Sequence, residues 1–220
     1  MTDMITRPLV AAVLLAAAFG ACVLALAQDQ GEINRQLLAA AKDDDQQSVV
    51  AALQRGASVD AMNRIGDTAL VTACKKGDTA MARTLIERGA NVQHANAPGD
   101  TPLMAAAYGG FDEIVALLLA HGADPLATDR VGKTAMEYAA GEGHTKVVGQ
   151  LLDAGVDVNR TYKNDLTALM WAAGYDRAET AQLLLARGAN RSLKDNRGMT
   201  AKDIAVQTKS ARVAGLLSAS

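Results

Sequence analysis

From Asn34 to the C-terminus, apolar side chains come in short bursts at helical spacing, not in long runs or strict alternation. Ile114, Val115, Leu117 and Leu118 form one burst, and Leu183, Leu184 and Leu185 another. Between such bursts lie shorter segments whose periodic residue is alanine, as in Pro102–Tyr108. Gly77, Gly110 and Gly143 divide alanine segments from the leucine-rich segments that follow. A Gly-Ala or Gly-Val pair closes each leucine-rich segment, where glycine can take the left-handed conformation that ends a helix. The pattern predicts pairs of short helices, each pair followed by an extended polar stretch and a turn such as Asp129-Arg130-Val131-Gly132.

The pairs recur with a fixed period. Thr68-Ala69-Leu70 returns as Thr101-Pro102-Leu103, Thr134-Ala135-Met136, Thr167-Ala168-Leu169 and Thr200-Ala201-Lys202, each step being 33 residues. Two further series keep the same phase: Gly56, Gly89, Gly122, Gly155 and Gly188, and Ala73, Ala106, Ala139, Ala172 and Ala205. The threonine is placed to cap the first helix of each unit. Pro102 takes the first helical position, where its missing N–H costs nothing. No such unit can bury its apolar face alone, whereas a stack of them can, with alanine letting neighbouring helices approach closely.

This unit resembles the ankyrin repeat in its period and, at Thr101-Pro102-Leu103, in the T-P-L part of the T-P-L-H-x-A signature, Pro102 being the only proline at its position. Val71, Met104, Glu137 and Met170 stand where that signature has histidine. The resemblance covers the chain from about Asn34 onward. It implies an all-α solenoid of helix-turn-helix plus β-turn units, about five and a half in number, that binds another protein through its concave face. The expected organisation is a signal peptide or anchor over 1–27 and a short linker over 28–34. An N-terminal capping repeat over 35–67 follows, then four full repeats over 68–100, 101–133, 134–166 and 167–199, and a truncated C-terminal cap over 200–220. Both end units are more polar on one side, as caps facing water must be.

The head of the chain follows a different pattern. Leu9–Phe19 and, after Gly20, Ala21–Ala27 carry no charge, and the sequence turns polar at Gln28-Asp29-Gln30. Ala25-Leu26-Ala27 offers small residues at the positions a signal peptidase reads, so cleavage after Ala27 is expected. Two alternatives remain: an uncleaved membrane anchor, since this run just reaches the length that spans a bilayer, and a lipoprotein acylated at Cys22. All three export the repeat region, in the first reading to a bacterial periplasm. Cleavage would leave Cys74 as the only cysteine, so packing and not a disulfide must hold the domain.

Composition narrows the function. Alanine numbers 45 and aromatics only seven, which excludes an aromatic-rich core and fits close helix stacking. The net charge of −2 argues against general nucleic-acid binding, which needs a basic surplus. His94, His121 and His144 fall at different points of three units, 27 and 23 residues apart, a spacing that matches no compact metal motif. Asp43-Asp44-Asp45 lacks the alternating ligands of a calcium loop. Gly66-Asp67-Thr68 and Gly99-Asp100-Thr101 lack phosphate-loop spacing and recur with the repeat as turn chemistry. Cys74 keeps the register of Ala107, Ala140 and Ala173 and reads as a small packing residue. No enzyme, cofactor or metal site is expected.

What remains is the surface left after the periodic framework is subtracted. Tyr108, Tyr138, Trp171 and Tyr175 are assigned to the first helices of three consecutive units, with Tyr138 and Trp171 in one register. They are candidate contact residues, because tryptophan and tyrosine are enriched at binding hot spots; the alternative is that they fill the seam between units. Arg64, Arg130, Lys133, Lys163 and Arg197 mark the turns, with Lys75 and Lys76 nearby and Asp67 and Asp100 as partial offsets. Such a rim favours a partner with an acidic patch. The expected function is noncatalytic protein binding by a monomer, with no nucleic acid, and with membrane contact only if the head segment is retained. An inhibitor or immunity-type protein blocking an envelope enzyme, or a membrane-tethered spacer, are the alternatives.

Overall fold

A computed structural model of the chain describes residues 29–218. The apolar head segment, its expected cleavage point and Cys22 lie outside the described residues. Residues 29–42 are helical (α1). Then come α2 (Gln46–Gln54), α3 (Ala69–Lys76), α4 (Thr79–Glu87), α5 (Pro102–Gly109) and α6 (Asp112–Ala120). After them come α7 (Ala135–Glu142), α8 (Thr145–Asp153), α9 (Ala168–Gly174), α10 (Ala178–Ala186), α11 (Ala201–Gln207) and α12 (Ala211–Ser218). Among the described residues there is no sheet, only isolated bridges such as Met62 to Thr68. The all-α repeat architecture is the expected one. The linker expected over 28–34 is different: residues 29–34 are the first turns of α1. Ile33, Leu37, Ala40 and Ala41 give that helix an apolar stripe, and all four are buried.

The helices stack in two layers. Successive first helices α3, α5, α7, α9 and α11 pack side by side, and each packs on its own second helix. Ala73, Ala106, Ala139, Ala172 and Ala205 have no exposed surface, so this layer closes around a methyl-sized spacer. Leu85, Leu118, Leu151 and Leu184 are equally enclosed and supply the bulk of the core from the second helices. Thr68, Thr101, Thr167 and Thr200 accept from the backbone N–H three residues on, as caps.

The bend between the two helices of a unit is also where units lock together. Gly77, Gly110 and Gly143 have φ of 77°, 73° and 86°. The Phe111 ring lies over Gly77, the His144 ring over Gly110 and the Arg177 side chain over Gly143. His144 Nε2 bonds to Tyr108 O at 2.9 Å, and Arg177 Nε donates to Gly141 O at 2.8 Å. Each bond reaches back to the end of the preceding first helix, where carbonyls lack partners.

The turns form fingers beside the first helices. The side-chain oxygens of Asn63, Asp129 and Asp195 each accept the backbone N–H groups two and four residues on, and Asn96 accepts that of Asp100. Adjacent fingers are tied by single backbone bonds: Ala97 N to Ile65 O, Arg130 N to Pro98 O and Asn196 N to Asn164 O. The register demands a fourth, Lys163 N to Val131 O, and no such bond forms; only the Lys163 ammonium reaches Val131 O, at 3.4 Å. Tyr162 sits there in place of the turn-forming Asn or Asp, and Asn164 and Asp165 adopt φ of 62° and 58° in a short 3₁₀ turn over Lys163–Asp165.

Candidate functional site

The exposed side of the first-helix layer carries the aromatic residues. Tyr108 on α5 and Tyr138 on α7 meet edge to face, ring centroids 5.8 Å apart. Trp171 on α9 stacks on Tyr175 at 6.1 Å with the rings 4° from parallel. Tyr175 is the residue after α9 and not part of it, contrary to its assignment to the first helix, because the helix ends at Gly174. Lys133 joins the two pairs. Its ammonium lies 5.3 Å from the Tyr138 ring centre and 4.6 Å from that of Trp171, an arrangement favoured by the ring quadrupole. The five side chains thus form one row across three units. Tyr138 and Trp171 pack against the core with one side, while Tyr108 and Tyr175 are 57% and 56% exposed.

A groove lies on each side of this row. One, of about 400 Å³, is lined by Lys75, Asp100, Met104, Ala105, Tyr108 and Tyr138. The other, of about 330 Å³, is walled by Trp171 and Tyr175, with Met170, Ile204 and Arg197 around it. Both have an apolar floor and a polar margin, as ligand-contact concavities do.

The charges are layered. Asp67, Asp129 and Asp195 are buried. Asp67 accepts from Lys75 Nζ through both oxygens, at 2.9 and 2.8 Å, and from Asn96 Nδ2 at 2.7 Å. Asp129 accepts the Tyr138 hydroxyl at 2.5 Å. Burial, and then that carboxylate, push the Tyr138 phenol above its ordinary range. At Asp195 burial opposes ionisation, but the Met199 amide and the Arg197 side chain outweigh it and hold the carboxyl below the usual range. Arg64, Arg130, Lys163 and Arg197 stand exposed at the finger tips.

Of the residues singled out in the sequence, Tyr108, Tyr138, Lys133, Trp171, Tyr175, Lys75 and Arg197 line the row and its grooves. Arg64, Arg130 and Lys163 remain separate on the tips. Lys76 is elsewhere: its ammonium bonds to Lys42 O at 2.5 Å and to Asp44 at 2.6 Å, closing the end of α1. In the sequence Asp67 and Asp100 read only as offsets to the tip cations, and Met104, Ile204 and the buried carboxylates Asp129 and Asp195 do not read as site residues. For the carboxylates a signal existed, since Asn63, Asn96, Asp129, Tyr162 and Asp195 share one register with a single outlier.

That outlier marks an irregular seam between the finger before α7 and the finger before α9. Tyr138 and Asp129 are hydrogen-bonded, but the equivalent pair one unit on is Trp171 and Tyr162. The Trp171 Nε1 and Tyr162 hydroxyl are buried without a partner, as is Glu137 Oε1 on α7. Burial, then the nearby Glu137 carboxylate, push the Tyr162 phenol up to about 12. Elsewhere, the imidazoles of His94, His121 and His144 each bond to a backbone carbonyl, at 2.8, 2.8 and 2.9 Å. Among the described residues no group of three or more His, Cys, Asp or Glu is placed to hold a metal. Cys74 is enclosed, and burial pushes its thiol up to about 12, so it carries no thiolate at neutral pH.

A search of curated proteins finds no match. A family model described as ankyrin repeats (3 copies) matches residues 37–129, 93–162 and 136–220. Together these matches span the helical pairs from α1 to the C-terminus, and with the 33-residue register and the capped two-layer stack they make this chain a member of the ankyrin-repeat family.

Proposed function

We propose that the protein is an exported, noncatalytic binding module whose partner seats on the first-helix face, across the aromatic row. Ankyrin repeats are generally protein-binding modules. The observation that carries the reading for this chain is the continuous row Tyr108–Tyr138–Lys133–Trp171–Tyr175. It gathers most of a sparse set of aromatics on one face and leaves two of them more than half exposed. Isolated exposed aromatics need no explanation, but a contiguous set flanked by grooves marks an interaction surface. The outward cations favour a partner with an acidic patch by steering its approach.

Photo-crosslinkers placed at Tyr108 and Tyr175, and on the opposite layer at Arg83 and Gln182, test this in cells. Crosslinks from the first pair alone are expected, and Trp171→Ala with Tyr138→Ala should remove them while helical circular dichroism persists. Crosslinks confined to the second pair would overturn it. Export to a bacterial periplasm rests on the apolar run Leu9–Ala27 and its small-residue end. N-terminal sequencing of the mature protein should begin at Gln28; a retained head segment would favour the tethered alternative.

A further inference from the structure

The two grooves differ in place but not in character, and this narrows what the face can hold. The first is centred on α5, with walls from α3 and α7; the second lies between α9 and α11. Neighbouring helices in such a layer are ~8–10 Å apart, so the groove centres are separated by ~20–25 Å. Each groove has room for one bulky apolar side chain: Met104 floors the first and Met170 and Ile204 the second, with aromatic rings as walls. Between them runs the ridge of Tyr138, Lys133 and Trp171, with its ammonium on the aromatic faces.

Charge decides what connects the two anchors. Lys75 and Arg197 stand at the margins of the grooves, each paired with a buried aspartate, Asp67 and Asp195. Lys133 lies on the ridge, and Arg64, Arg130 and Lys163 line the fingers beside it. The carboxylates along this strip are buried Asp67, Asp129 and Asp195, half-buried Asp100, and exposed Asp165, Asp203 and Glu142, of which Asp203 is bonded to Thr200 and Glu142 is paired with Arg177 at 3.7 Å. With three of these carboxylates buried, the outermost charges of the strip are mostly cations. An acidic segment is complementary to that layer and repels itself into extended conformations.

We propose that the face takes an extended acidic segment of a partner protein, anchored by two bulky apolar side chains ~6–8 residues apart, one in each groove. The spacing follows from ~3.3 Å per extended residue over the distance between grooves. This inference rests on the functional reading above and specifies the partner's chemistry.

Trp171, the only tryptophan in the chain, walls the second groove, so its fluorescence reports occupancy. The probe is a glutamate-rich peptide of about fourteen residues carrying two leucines six positions apart, an even separation that puts both on one face of an extended chain. It is compared with versions that space the leucines two apart, carry only the leucine for the second groove, or replace glutamate by lysine. The two-leucine peptide is expected to shift Trp171 emission saturably. Its affinity should fall about tenfold or more at the shorter spacing, weaken with added salt and vanish in the lysine version. Tyr108→Ala should weaken the two-leucine peptide about tenfold and leave the single-leucine peptide unchanged. Equal affinity at both spacings, binding of the lysine version, or no saturable binding by any peptide would overturn the inference. Crosslinks still confined to Tyr108 and Tyr175 in that case would leave the broader reading standing; their loss would overturn both.

Discussion

Glu137 occupies the third position of α7, where Val71, Met104 and Met170 stand in other units. Its Oε2 accepts the Thr134 N–H at 2.8 Å and the Thr134 hydroxyl at 3.3 Å, while Oε1 is buried with no partner. Asp203 makes the same contacts with Thr200 at the start of α11, at 2.9 and 2.7 Å, but is exposed. The two shift in opposite directions: burial raises Glu137, and hydrogen bonds from Thr200 lower Asp203. For Glu137 the folded value lies above the unfolded one. Its favourable contribution is full below the unfolded pKa, ~4.3, and is lost as pH rises through the folded pKa. For Asp203 the contribution is present above the unfolded value and is lost as pH falls through the folded one. Glu137→Gln should therefore raise the urea midpoint at pH 7 and have little effect near pH 4; a lower midpoint at pH 7 would contradict this assignment.

At the scale of elements, the helix-helix bends show which glycines the stack requires. Gly110 combines a left-handed backbone with a neighbour, since a Cβ there would overlap the His144 ring. Gly132 is equally left-handed, with φ of 85°, but nothing lies within 4 Å of a Cβ built on it. Denaturant titrations should separate the two: Gly110→Ala should cost about 2–4 kcal/mol, from conformation and overlap together, and Gly132→Ala about 1 kcal/mol from conformation alone. Equal costs would mean that the ring moves aside freely. The helical pairs and their caps were legible because period, glycine and threonine each report a local backbone requirement. Helix α1 over 29–34 was not, because the unit there lacks the threonine signature and its apolar stripe begins before the repeat does. The side chains that lock over the bends were also hard to read as a set, since Phe111, His144 and Arg177 share a register but no chemistry. Among the candidate site residues, the aromatic row was legible because neighbouring units place one register side by side. The role of Lys76 was not, since its partners come from α1 and the turn after it.

The whole molecule is a line of neighbours, each holding the next, so its stability is set locally along the stack. One step breaks the pattern: at the seam between the fingers before α7 and α9 one backbone bond is missing, and the adjoining units bury Glu137 Oε1, Tyr162 Oη and Trp171 Nε1 unpaired. Unpaired buried groups of this kind cost ~1–3 kcal/mol each. The amide hydrogen of Lys163, which has no carbonyl partner across the seam, should exchange faster than those of Ala97, Arg130 and Asn196, which donate between fingers; matching protection would show that the seam is closed in solution. The position of that seam has a consequence for the surface. It falls between the two grooves and on the finger side only, since α7 and α9 pack as closely as the other first helices and Arg177 still bonds back to Gly141 O across the step. The helices beneath hold the two grooves at a set separation, and the irregular turn interrupts only the rim that joins them.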